Sequence, residues 1–404
     1  MTLVSPAELR RTPNALGPHY TRFRVADRLL LTGHSHQAWP DAAETGVLEC
    51  LADAADAVDR KWERAEVMAE RVRAGYRRLL GDPAGEIGLG PNTHDLVVKL
   101  LSALDLRRRR RVVTTDTEFH SLRRQLARLA EEGLEVVPVA AEPVETLAER
   151  LGAAVDPRTA LVAASAVLFA SARIVPHLDV LAATCERHGA ELLVDAYHAL
   201  GAIPFPIHDL GLGAAWITGG GYKYLQLGEG NGFLRVPPHA AEVRPAVTGW
   251  FAEFDDLFDA ARPEAVTYGP PATRFAGGTY DPTSHYRAAR VLAFFADHGL
   301  EPDLLREVSL HQVGELRSGF DGLGLPDAVI TRDRSWAAES VAGFLALRSP
   351  HARRLQRALA DRGVLTDSRA DVLRLGPAPY LSDSQLDAAI AALGEVGAEM
   401  ARDS

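Results

Sequence analysis

The chain has 404 residues, 47% of them apolar, which allows a sizeable core and suggests two domains, or one large domain with a smaller companion. A net charge of −10 argues against general nucleic-acid binding. No signal peptide and no bilayer-spanning apolar run is evident, so a soluble cytoplasmic protein is expected; Cys50 and Cys185, neither at metal-ligand spacing from a partner, fit a reducing compartment and no metal site.

Helical periodicity alternates with short β-rich runs, the pattern of a mostly parallel sheet covered on both faces. A long helical region is expected from Ala43 to Leu80, then a strand at Glu86 to Leu89 and a helix opened by Asn92-Thr93 that runs from His94 to Leu104. The basic run Arg107 to Arg111 reads as a solvated connection into the strand Arg111 to Thr115. Further strands are expected at Glu135 to Val139, Leu161 to Ser165, Glu191 to Asp195, Ala214 to Thr218 and Gly232 to Val236. The helix Leu178 to His188 takes Gly189 as its C-terminal cap. Past the Pro/Gly-rich stretch Tyr268-Gly269-Pro270-Pro271 the chain is helix-dominated to about Phe320. Weak strand signals follow at Val341 to Leu347 and Val372 to Leu375, then a last helix from Ser384. The expected organisation is an N-terminal segment 1–45, a large domain 46–275 and a small α+β domain 276–404.

The most informative segment is Gly219-Gly220-Gly221-Tyr222-Lys223-Tyr224, a lysine on a glycine-rich turn 28 residues after Asp195, which ends an apolar strand. A pyridoxal 5'-phosphate enzyme needs an amine for a Schiff base, close approach to a phosphate and an acid beside the pyridine nitrogen. Lys223 supplies the first, its glycines permit the second, and Asp195, at the carboxyl end of a strand where open α/β sheets bind ligands, supplies the third.

Several segments in chain order resemble the class V aminotransferase superfamily of fold-type I enzymes, and within it kynureninase. These are Gly33-His34-Ser35-His36-Gln37-Ala38-Trp39-Pro40, Asp195-Ala196-Tyr197-His198, Tyr222-Lys223-Tyr224-Leu225, Gly249-Trp250-Phe251 and Arg374-Leu375-Gly376-Pro377-Ala378-Pro379-Tyr380. The resemblance implies the fold-type I architecture, a seven-stranded mostly parallel sheet with a smaller C-terminal α+β domain. It also implies a homodimer with shared active sites, Trp250 and Thr279 being donated across the interface.

Each further residue has its own chemical reason. Asn92 and Thr93 stand at a helix N-terminus, a ready phosphate site, where the backbone N–H of Asn92 and the hydroxyl of Thr93 are the expected donors. Phe119 aligns with the residue that stacks on the pyridine ring, and His198 with a residue near the cofactor. Tyr222 is placed to reach the phosphate and relay a proton. Arg374 lies inside the apolar run Val-Leu-Arg-Leu, where a surface role explains it poorly; a guanidinium there suits the α-carboxylate of an amino acid. Ser35 and His34 are assigned to the substrate side.

The implied activity is hydrolytic cleavage of the Cβ–Cγ bond of kynurenine or a related γ-keto amino acid, with Lys223 as base and acid. Alanine and an anthranilate-type product would leave. The chain departs from the resemblance at Ala55 to Trp62, where a ring-contacting histidine is absent, at His34 and His36, which replace Asn and Leu, and at Phe169-Ala170-Ser171-Ala172, where an arginine is lost. These departures keep open a class V aminotransferase, an epimerase or a carbon–sulfur lyase. A cysteine desulfurase needs a nucleophilic cysteine in the C-terminal half, and this chain has none there.

Overall fold

The computed structural model describes residues 3–256 and 265–403. Seven strands form its main sheet: β1 (Glu86–Gly90), β2 (Arg111–Thr115), β3 (Glu135–Val139), β4 (Thr159–Ser165), β5 (Glu191–Asp195), β6 (Trp216–Gly220) and β7 (Gly232–Val236). Their order is β1-β7-β6-β5-β4-β2-β3, with β7 antiparallel to both neighbours and every other pairing parallel. Strands buried on both faces read as continuous apolar runs, which is why β4, β5 and β7 stand out in the sequence. β6 lies two residues later than expected, because Gly219 and Gly220 continue the ladder opposite Phe233 and Gly232 instead of starting the turn.

The helical region after the N-terminal segment is two helices, Ala42–Ala57 and Lys61–Leu79, where one was expected. Val58 sits at φ 45°, a conformation a β-branched residue seldom takes, and a short 3-10 turn re-aims the chain there. Arg64 braces the corner by pairing with Asp53 at 2.8 Å and Asp56 at 2.7 Å. The helix Leu178–His188 ends as expected, with Gly189 at φ 60°. Arg109 donates to the carbonyls of His188 and Gly189, so one member of the basic run neutralises a helix C-terminus, while Arg107, Arg108 and Arg110 remain exposed.

The C-terminal part carries a small antiparallel sheet of β8 (Leu345–Arg348), β9 (Asp367–Arg369) and β10 (Val372–Leu375), in the order β9-β10-β8. β8 starts later than expected, after Gly343 at φ 77°. The N-terminal segment is sewn to this region: Leu29–Leu30 pair in parallel with Val364–Leu365, and Gly33 N–H donates to the carbonyl of Gly376 at 2.8 Å. The last helix spans Asp383–Asp403. Among the described residues no helix is long and apolar enough to cross a membrane, and Cys50 and Cys185 are buried and unbridged.

Candidate active site

β5, β6 and the turn after β6 deliver their carboxyl ends to one cleft of about 470 Å³, lined among others by Asn92, Thr93, Phe119, Asp195, His198, Tyr222 and Lys223. Seven of the residues singled out in the sequence therefore meet in one place. Lys223 is 6% exposed, and its Nζ lies 2.8 Å from Nε2 of His198. Three aromatic rings surround the amine, with centroids 4.4 Å (Tyr197), 5.5 Å (Phe119) and 5.7 Å (Tyr222) away. Burial lowers the lysine to about 7; Asp195 works against this, while the charges of Arg374 and Arg369 assist it. Burial likewise drives His198 well below the usual histidine range, with the neighbouring Lys223 charge adding to the effect. A near-neutral amine is what Schiff-base chemistry requires.

Asp195 accepts a hydrogen bond from the backbone N–H of Tyr197 at 2.8 Å. Burial raises its pKa, and that N–H and Lys223 oppose the rise. Behind it is a second carboxyl that the sequence did not single out. Glu118 is 2% exposed and accepts from Thr115 Oγ1 (2.8 Å), Ser165 N–H (3.1 Å) and Ser165 Oγ (2.7 Å). Burial pushes Glu118 up to about 7, those donors hold it down, and Asp195 adds to the rise. Asn92 caps the helix Thr93–Ala103 through its side chain, which accepts from Asp95 N–H at 2.9 Å, and Asn92, Thr93 and His94 at this helix N-terminus line the cleft. Phe119 is partly exposed into the cleft and meets Phe169 edge to face at 6.1 Å.

The substrate-side residues are arranged otherwise than their sequence reading suggests. Arg374 is 3% exposed, with Nε at 3.0 Å and Nη2 at 2.5 Å from Asp367 Oδ1, and Nη1 at 2.7 Å from the carbonyl of Phe169. Three of its five N–H donors are engaged, so a substrate carboxylate meets a guanidinium already paired with Asp367. Arg369 Nη2 stands 3.2 Å from the same Asp367, which puts two cations against one anion. His34 is buried between Phe344, 4.7 Å ring to ring, and Asp367, and does not line the cleft. Burial depresses it to about 4. Ser35 instead contacts His36. Trp250 is 40% exposed and Thr279 is exposed; neither lines the cleft of this protomer.

The residues present fit pyridoxal 5'-phosphate: a buried near-neutral lysine, an acid at the adjacent strand end, an aromatic ring beside the amine and a helix N-terminus. Residues 332–393 match the kynureninase C-terminal domain family. The chain is 26% identical over 332 residues to an uncharacterised aminotransferase, YcbU, of Bacillus subtilis, covering 81% of this chain and 84% of that one. To a kynureninase of Deinococcus radiodurans it is 28% identical over 337 residues, 81% of this chain and 78% of the relative. In fold it is similar to the cystine C–S lyase C-DES, in a form with glycine covalently linked to its PLP cofactor: TM-score 0.82, 17% identity, 94% of this chain and 98% of the other.

The fold is that of fold-type I enzymes dependent on pyridoxal phosphate, whose cofactor the site's residues fit, and the chain is similar to class V members of that fold. Within that class the chain is kynureninase-like, in its C-terminal segment and along most of its length.

Proposed function

We propose that the protein hydrolyses the Cβ–Cγ bond of kynurenine or a related γ-keto amino acid, giving alanine and an anthranilate-type product. The observation that carries this reading is the kynureninase match over residues 332–393, which encloses Asp367, Arg369 and Arg374 and joins the Lys223 cleft through the Arg374–Phe169 bond. Pyridoxal 5'-phosphate held at Lys223 would supply an electron sink for charge developing at the substrate Cα.

The chain's own groups do the rest. Lys223 Nζ, its pKa brought down by burial to about 7, takes the α-proton and returns it. Asp195 would hold the pyridine nitrogen protonated. Thr93 and the N–H of Asn92 would receive the phosphate and Phe119 would cover a face of the ring, while His198 steadies the lysine amine. Tyr222, whose phenol is pushed up by burial, Asp195 and Glu229, stays protonated at neutral pH and so serves as a proton donor to the β-carbon of the alanine fragment once water has added to the γ-carbonyl and the Cβ–Cγ bond has broken. Arg374 takes the substrate α-carboxylate by exchange with Asp367. Trp250 and Thr279 serve the cleft of a second copy in a homodimer.

A second reading, an aminotransferase, epimerase or carbon–sulfur lyase of the same class, is favoured by the histidine missing between Ala55 and Trp62 and by the 26% identity to YcbU. The test is to incubate cofactor-loaded protein with L-kynurenine and with 3-hydroxykynurenine, and to quantify alanine and the anthranilates by mass spectrometry, with Lys223→Ala as control. Products that vanish in the control support hydrolysis. Cofactor spectral changes without these products move the function to the second reading.

A further inference from the structure

Beside Tyr222 stand two groups that the chemistry above does not use, Glu229, which lines the cleft, and His36, which packs on the tyrosine ring. His36 lies flat on Tyr222, ring centroids 5.0 Å apart and planes 20° apart. Its Nδ1 is 3.1 Å from Ser35 Oγ, and its Nε2 is 3.7 Å from Glu229 Oε1, longer than a hydrogen bond. Tyr222 and Glu229 both line the cleft. The side chains of His36 and Glu229 are 66% and 61% exposed, so each retains hydrogen-bonding capacity toward whatever enters.

The loop presenting Glu229 is rigidly built. Gly228 and Gly230, at φ 69° and 88°, flank it in a conformation that favours glycine. Asn231, only 2% exposed, reaches the carbonyls of Leu227 (3.3 Å), Gly228 (3.4 Å) and Glu229 (3.3 Å). Arg287 donates to the carbonyls of Leu227 (2.8 Å) and Glu229, and Ser284 Oγ to that of Gly230 (3.1 Å). These bonds fix the backbone and leave the carboxylate out. A scaffolded loop that aims one unengaged side chain at a cleft is how binding groups are mounted.

We propose that Glu229 and His36 form the side-chain subsite, selecting an amino acid whose tail presents an N–H donor, an aryl amine or an ammonium, to the Glu229 carboxylate. The ring of His36, held against Tyr222 and by Ser35, forms the adjoining wall. A tail ending in a carboxylate meets like charge and is disfavoured. The proposal rests on the reading that an amino acid reacts at Lys223.

Two matched pairs test it: L-kynurenine against its analogue lacking the ring amine, by turnover, and 4-amino-L-phenylalanine against L-phenylalanine, by equilibrium titration of the cofactor's visible absorption. The unaltered protein should favour the amine of each pair by about tenfold or more, the scale of a hydrogen bond to a charged group. Glu229→Ala should reduce that preference to about onefold, through KM and Kd; His36→Leu should weaken it. A preference that survives both variants overturns the subsite. Should Glu229→Ala fail to fold, Glu229→Gln, which removes the charge and keeps the shape, decides by the same ratios. Discrimination in the binding pair without product from either γ-keto amino acid sinks the hydrolytic reading and leaves the subsite standing; product without discrimination does the reverse.

Discussion

Lys223 Nζ and His198 Nε2 stand 2.8 Å apart with both residues almost sealed from solvent. Two bases in contact in a dry interior cannot both carry a proton, so at neutral pH the pair holds an amine close to its neutral form against a neutral imidazole.

Capture of the cofactor should therefore follow the state of that amine. Protein freed of cofactor and mixed with pyridoxal 5'-phosphate should take it up faster as pH rises through about 7, then level off. Borohydride reduction followed by peptide mass spectrometry should find the pyridoxyl group on the peptide carrying Lys223. Labelling that persists elsewhere in Lys223→Ala would show that the anchor is another lysine.

The same burial carries a stability cost. Because Lys223 titrates at about 7 in the fold and near 10.5 when unfolded, its penalty is full below pH 7 and shrinks as pH climbs toward 10.5. Cofactor-free Lys223→Met should be more stable than the parent by about 2 kcal/mol at pH 7. The gap should close toward pH 10 in chemical denaturation; a gap independent of pH would mean the amine is not desolvated.

Among the described residues Asp367 is the only carboxylate that Arg374 meets. Burial pushes Asp367 up, yet contact with His34 and Arg374 holds it well below the usual carboxylate range. A depressed carboxyl stabilises above its unfolded pKa and loses that contribution only in strong acid. Asp367→Asn leaves a buried guanidinium without its counter-charge and should cost about 3 kcal/mol at pH 7. Unchanged denaturant midpoints would show the pair to be dispensable.

Arg109 offers a smaller and cleaner case. It donates to the carbonyls of His188 and Gly189 at the end of a helix whose Gly189 already supplies the turn. Arg109→Ala should cost about 1 kcal/mol, with the cofactor spectrum untouched, and high salt should mask part of the loss. A loss that salt does not move would point to packing.

The sheet was readable because buried strands are apolar runs that stop at turn residues, so β2 and β5 fall at their expected bounds. The corner at Val58 left no trace, since helical periodicity continues through it and the brace from Arg64 is a tertiary contact. Lys223, Asp195, His198 and Tyr222 were legible because each sits beside a strand end or within a turn whose residue types are chemically restrictive. The engagement of Arg374 was not, although Asp367 is its cross-strand partner in the hairpin β9–β10, and an acid directly opposite an arginine is the signal that was available. The stacking of His36 on Tyr222 joins distant parts of the chain, and no local pattern announces it.

The seam between Leu29–Leu30 and Val364–Leu365, continued by Gly33 on Gly376, ties the order of synthesis to the order of assembly. The residues that carry His36 leave the ribosome before the central sheet, yet their docking strand is translated after it. A nascent chain thus builds the central sheet and the Lys223 turn well before its entrance wall has anything to hold it. Premature termination short of residue 364 leaves a lysine pocket without that wall, so truncated products lose discrimination among amino acids before they lose the anchoring lysine.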